Sequence, residues 1–225
     1  MINLIVSNRP WCKNMAYNLN LITNYNFKLV KNVHQLIKTT SLNKKINKIF
    51  FPHWSLKVPP NLYKNFECIM FHVTDLPYGR GGSPLQNLII RGHKNSKLTA
   101  FKCTAEMDAG PVYCKRKISL NGTAQNIFEN ISILSEKMII QILSKDLKPK
   151  TQVGKVVNFK RRQPYQSNIE NCNTYKEIYD HIRMLDADGY PSAFLKLNKF
   201  ILSFNSAKLK KSEVIAKVKI KLEGD

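Results

Sequence analysis

The sequence predicts an α/β fold with a mostly parallel central sheet, followed by a small α+β tail. Three observations carry that reading. Short apolar runs alternate with longer segments of helical spacing, and the first and third runs stop at Asn8-Arg9-Pro10 and at Pro52. Near residues 148–155 the texture shifts to Lys, Pro, Thr and Gly. We therefore expect one domain over 1–150 and a smaller tail over 151–225.

Taken in order, Ile2 to Ser7 (INLIVS) reads as a buried strand ended by Asn8, Arg9 and Pro10, with a helix over Trp11 to Ile22. Phe27 to Lys31 and Val33 to Thr39 repeat the strand and helix pair, and Lys48 to Phe51 is a third strand ended by Pro52. Cys68 to His72 is a fourth strand. Thr74 to Gly82 holds a Pro and three Gly, so it reads as a loop. Pro84 suits the first turn of a helix through Ile90, closed by Gly92. Leu98 to Thr104 and Gly110 to Leu120 are two further strands. Thr123 then caps a helix whose Ile127, Ile131, Leu134, Met138 and Ile142 keep helical spacing. In the tail, Thr174 to Leu185 reads as helix. Ala216 to Leu222 alternates with Lys217, Lys219 and Lys221, the pattern of a half-buried strand with a basic outer face.

Composition narrows the function classes. At 43% hydrophobic and 10% aromatic, the chain is a globular protein and not a disordered one. The cysteines at 12, 68, 103, 114 and 172 lack paired spacing, and no His or Cys pair has metal-ligand spacing. With no apolar run of about eighteen residues, a soluble, cytoplasmic protein without a metal is expected. The net charge of +21 is spread along the chain with no interleaved aromatic platform, so nucleic acid is not the first partner expected, although the basic surface would draw anionic ligands, nucleotide-linked ones and tRNA among them.

Two segments carry the chemistry. FHVTDLPYGRGGSP (71–84) places His72 at a strand's carboxyl end, where open α/β sheets bind ligands, beside a Gly-rich turn that brings backbone close. EMDAGPV (106–112) follows the next strand, so Asp108 is expected at the same end of the sheet. A carboxylate beside an imidazole fixes its tautomer, as a general acid or base requires. From residue types alone, a structural role is the commoner reading for each position.

Together, HVTDLPYGRGGSP and MDAGPV resemble the paired signatures of the folate-dependent formyltransferase family, methionyl-tRNA formyltransferase-like and closest to sugar N-formyltransferases. The matching positions are His72, Leu76, Pro77, Arg80, Gly81, Pro84, Asp108, Ala109 and Gly110. The resemblance runs more weakly over residues 2–145 and implies a Rossmann-like domain. It also implies direct formyl transfer from 10-formyltetrahydrofolate to an amine. His72 would stabilise the oxyanion and shuttle a proton, and Asp108 would orient His72 and help remove the amine proton. The family has Asn two residues before the His, where this chain has Met70. Methionine cannot donate, so Asn87, Gln86, Thr74 or a loop N–H must substitute, with Asn87 the candidate oxyanion donor.

By the same resemblance, His53, Trp54, Ser55, Glu106 and Met107 are candidate folate contacts, and Arg9, Gly79, Arg80, Gly81 and Gly82 are candidate substrate contacts. RMLDADGYPSAF (183–194) and FKRRQP (159–164) resemble pieces of the amino-sugar enzymes. The expected acceptor is thus a nucleotide-linked amino-dideoxy sugar of surface polysaccharide synthesis. Methionyl-tRNA and glycinamide ribonucleotide are the alternative acceptors, and a homodimer is expected by analogy. With Met70 in place of Asn, a folate- or nucleotide-binding module of weak activity also stays open.

Overall fold

A computed structural model describes residues 1–42 and 45–224. In chain order the elements are β1 (Ile2–Val6), a 3-10 turn (Pro10–Cys12), α1 (Met15–Ile22), β2 (Asn26–Val30), α2 (Val33–Leu42), β3 (Ile46–Phe51), α3 (Pro60–Asn65) and β4 (Glu67–His72). They continue with β5 (Tyr78–Gly81), α4 (Pro84–Ile90), β6 (Asn95–Lys102), β7 (Val112–Ser119) and α5 (Ala124–Ser144). After α5 come β8 (Val157–Phe159), a second 3-10 turn (Pro164–Ser167), α6 (Tyr175–Arg183), β9 (Ala193–Leu197), β10 (Phe200–Leu209) and β11 (Val214–Leu222).

Six strands form the main sheet in the order β2-β1-β3-β4-β6-β7. The β1–β2, β1–β3 and β3–β4 pairs are parallel, as expected, whereas β4 and β6 are antiparallel. Contacts divide the chain into two compact units. The first holds Met1–Gly81, Ser96–Ile118 and Phe128–Asn158; the second holds Gly82–Asn95, Ser119–Ile127 and everything from Phe159 onward.

In the first unit, Leu4, Val6, Val30, Ile49, Phe51 and Cys68 bury one face of the sheet with Leu36 of α2 and Leu62 of α3. The intervening Ile5, Phe50 and Ile69 are fully buried as well. Strands covered on both faces read as continuous apolar runs, which is why they were legible.

The second unit contains α6, β9, β10 and β11. Thr174 caps α6, its Oγ1 accepting from Glu177 N–H while Glu177 Oε2 accepts from Thr174 N–H. Arg183 of the RMLDADGYPSAF segment is buried, donating to Asp180 Oδ1 at 2.7 Å and to the carbonyls of Leu120 and Gly122. That segment therefore has a folding role.

The three-stranded antiparallel sheet β11-β10-β9 has two unlike faces. Cross-strand rows Leu197–Phe200–Leu222, Leu195–Leu202–Ile220 and Ala193–Phe204–Val218 share one face. Lys217, Lys219 and Lys221 lie on the other. The half-burial expected of β11 is not seen: Val218 is 48% exposed and Ile220 62%. Among the described residues no helix is long and apolar enough to cross a membrane.

Candidate active site

β4 delivers His72 at its carboxyl end, but β6 does not deliver Asp108 in the way its sequence position suggests. Because β6 runs antiparallel to β4, Lys102 pairs with Ile69 and Thr99 with His72, so β6 finishes towards the opposite end. The loop over 103–111 then folds back. It brings Asp108 Oδ2 to 3.7 Å from His72 Nδ1, with both side chains largely buried. The inference that both lie at one strand end thus rested on the wrong strand direction, although the two residues do meet.

Local backbone explains the return. Asp108 adopts a left-handed conformation with φ +53°, which Asp tolerates better than most residues. At Gly110 any side chain is excluded, since a Cβ there would sit 1.7 Å from the Lys102 carbonyl oxygen. That close approach is the physical content of the Asp-Ala-Gly motif.

The Gly-rich turn serves the same pair. His72 Nε2 lies 2.8 Å from the Gly79 carbonyl, and Gly81 N–H donates to Asp108 Oδ2 at 2.8 Å. A carbonyl only accepts, so Nε2 carries the proton and Nδ1 is the nitrogen that faces the carboxylate. Thr74 Oγ1 also reaches the Gly79 carbonyl, at 3.4 Å, and Thr99 Oγ1 holds the Thr74 carbonyl at 2.6 Å. Part of the segment read as loop is in fact β5, which pairs with β8.

Several expected roles change once hydrogen bonds are assigned. Asn87 cannot act as the oxyanion donor in this geometry, because its two amide protons face the carbonyls of Gly82, Ser83 and Lys160. Gln86 donates to the Met184 carbonyl, and Thr74 is committed as described. Met70 packs against the apolar core of the first unit. Of the substitutes considered, a loop N–H is what remains.

Arg80 is likewise engaged within the protein. Its Nε and Nη2 donate to Gln152 Oε1 at 3.2 and 2.9 Å, and its Nη1 pairs with Glu106 at 3.0 Å. It is therefore not an uncommitted substrate cation. Gly79 and Gly81 use their backbone on His72 and Asp108, and Gly82 N–H donates to the Phe159 carbonyl. A Cβ on Gly82 would meet Arg161 Cβ at 2.5 Å, so that glycine answers to packing.

The expected folate residues separate by environment. Trp54 is buried against Phe51 at 6.1 Å, and its indole N–H has no hydrogen-bond partner among the described residues. Ser55 and Met107 are exposed, and Glu106 is exposed except for its pairing with Arg80. His53 sits edge-on to Trp11 and Phe128, at 4.8 and 4.3 Å, and Trp11 stacks on Phe128. Burial, with the Arg9 cation nearby, pushes the His53 imidazole down to about 3, so it is neutral at neutral pH. Arg9 itself lies over the Trp11 ring at 5.9 Å. Among the described residues no cluster of three His, Cys, Asp or Glu could hold a metal ion.

A solved structure of methionyl-tRNA formyltransferase from Clostridium thermocellum superposes with a TM-score of 0.94 at 40% identity, covering 99% of each chain. The chain belongs to the formyltransferase family. Residues 164–221 of this family member match the model of the methionyl-tRNA formyltransferase C-terminal domain. Methionyl-tRNA formyltransferase from Streptococcus agalactiae is 27% identical over 162 residues, which is 68% of this chain and 52% of the relative. The chain spans about half the length of the curated relatives it matches. A sugar N-formyltransferase from Shewanella shares the fold at TM-score 0.71 and 19% identity, over 94% of this chain and 99% of its own.

One residue of this candidate site was invisible in the sequence. Gln152 joins Arg80 to the Asp108 loop. It sits in the Lys- and Pro-rich stretch read as a boundary, where neither periodicity nor motif marks it.

Proposed function

We propose that the chain transfers a formyl group from 10-formyltetrahydrofolate to a primary amine, with His72 and Asp108 as the catalytic pair. The observation that carries this reading is their approach at 3.7 Å, held by Gly79 and Gly81 on either side. The amine nitrogen attacks the formyl carbon, the new C–N bond forms, and the bond to N10 of the folate breaks. His72 Nδ1, with Asp108 beside it, takes the proton that the amine must lose, and N10 leaves with a proton. A loop N–H and the imidazolium supply the donors for the intermediate's oxygen. The buried Trp54 indole N–H is a donor that a folate acceptor would satisfy, alongside Ser55 and the 106–107 backbone.

For the acceptor we favour a nucleotide-linked amino sugar, supported by the likeness of RMLDADGYPSAF and FKRRQP to the amino-sugar enzymes. The 40% identity to a protein named methionyl-tRNA formyltransferase favours a second reading, an aminoacyl-tRNA amine. The test is a panel of nucleotide amino sugars and initiator methionyl-tRNA with 10-formyltetrahydrofolate, followed by product mass. A formylated sugar is the expected product. Formylation of the tRNA alone would replace the acceptor, and turnover of neither would remove the activity.

We assign residues 1–150 to catalysis and 151–225 to substrate binding and self-association. The exposed apolar residues of these rows of β9, β10 and β11, Leu197, Phe200, Val218, Ile220 and Leu222, carry no charge, so two copies can bury them against each other with every β11 lysine outward. Light scattering on the eluted protein should give a dimer mass, and Val218→Lys with Ile220→Lys should give a monomer. A wild-type monomer at micromolar concentration sinks the assignment.

A further inference from the structure

Gln152 lies beyond α5 and has no part in the chemistry above, yet every polar position of its side chain is used. Its Oε1 accepts from Arg80 Nε at 3.2 Å and Nη2 at 2.9 Å. Its Nε2 donates to the carbonyls of Asp108 at 2.8 Å and Gly110 at 2.9 Å. An amide has two protons and two lone pairs on offer, so this one is saturated and its orientation is fully determined. The backbone is anchored two residues earlier, where Lys150 and Val112 exchange N–H···O bonds of 2.7 and 2.8 Å.

We propose that Gln152 is a positioning residue for the transfer reaction, a clamp that fixes the left-handed turn at Asp108. The inference rests on the reading of His72 and Asp108 as the catalytic pair. Gln152 grips directly the main chain of the residue whose carboxylate faces His72, and with its other end it holds Arg80, which belongs to the strand carrying Gly79 and Gly81. One amide thereby ties together the two segments that must stay in register for Oδ2 to remain on Gly81 N–H. Only an amide meets both demands. Glutamate would keep the acceptor for Arg80 but oppose two carbonyls with lone pairs, and methionine would keep the length and lose all four bonds.

The experiment compares Gln152→Met and Gln152→Glu with the unaltered chain in two readouts. The first is steady-state formyl transfer from 10-formyltetrahydrofolate to whichever member of the acceptor panel is formylated. Both variants should lose about 10- to 100-fold in kcat with KM for either substrate changed less than about threefold, since a displacement near 1 Å has effects of that size. Adding Asp108→Asn to Gln152→Met should lower kcat no further than Asp108→Asn alone, because the clamp acts through that carboxylate. An unchanged kcat, or losses that multiply, would overturn the proposal.

The second readout is hydrogen exchange at the Gly81 amide by NMR, which requires no turnover. Release of Asp108 should speed that exchange about tenfold or more while amides of β1 and β3 keep their rates. An unchanged Gly81 rate overturns the clamp even if the chain transfers no formyl group. A faster rate without activity would keep the clamp and remove the reading of the site. Gln152→Asn, which retains the amide but withdraws it by one methylene, serves the same comparison if Gln152→Met does not fold.

Discussion

His72→Gln is expected to reduce kcat by about three orders of magnitude while leaving the fold intact, within the range known for loss of a positioned acid or base. Glutamine places its amide nitrogen near the position of Nε2, so the bond to the Gly79 carbonyl can persist. What disappears is Nδ1, the atom facing Asp108 at 3.7 Å. The substitution therefore separates proton transfer from support of the turn. Asp108→Asn makes the complementary change. Asparagine is among the residues that best tolerate a positive φ, and its amide oxygen can still accept from Gly81 N–H. Only the charge is lost. Both variants should melt with the unaltered protein and fall together in single-turnover formylation, and the double variant should be no slower than the worse single one. Retention of more than a tenth of the activity by His72→Gln would remove the imidazole from the mechanism.

The parts of this molecule legible in sequence share one physical cause. β1, β3 and β4 are buried on both faces, so they appear as apolar runs, and α4 begins at Pro84 and stops before Gly92 as its punctuation demands. The signature residues His72, Asp108 and Gly110 were legible because backbone constraint and chemistry coincide there. What sequence hid depends on pairing between distant segments. The direction of β6 is set by its neighbours and not by its own residues, so Leu98 to Thr104 could be read as a strand but not as an antiparallel one. β5 was hidden inside a Gly-rich stretch because its partner β8 lies far along the chain. Arg80 looked like a substrate cation because nothing local shows that Gln152 and Glu106 already hold it. The apolar rows of β9, β10 and β11 look like an ordinary half-buried sheet in sequence, but Val218 is 48% and Ile220 62% exposed.

Gly110→Ala should damage the protein more than any other single methyl addition considered. The new Cβ would lie 1.7 Å from the Lys102 carbonyl oxygen and 2.9 Å from its carbon, and both belong to main chain that cannot rotate away. Lys102 is held on one side by its pairing with Ile69 and on the other by its N–H to the Pro111 carbonyl. The loop must therefore yield. If β6 holds its place, Gly110 shifts and carries the Asp108 turn with it, since Gln152 grips both carbonyls. A loss of about 3 kcal/mol is expected, which for a chain of this size lowers Tm by roughly 6–12 °C. Gly92→Ala is the control, because nothing lies within 4 Å of the added carbon and only the positive φ opposes it, at a cost of about 1 kcal/mol. Calorimetry on the two variants, with formylation measured on whatever remains folded, tests the contact directly. Equal Tm values for Gly110→Ala and Gly92→Ala would mean that the loop over 103–111 yields freely. In that case the turn that brings Asp108 to His72 is set by the hydrogen bonds of Gln152 and Gly81, and not by the close approach of Gly110.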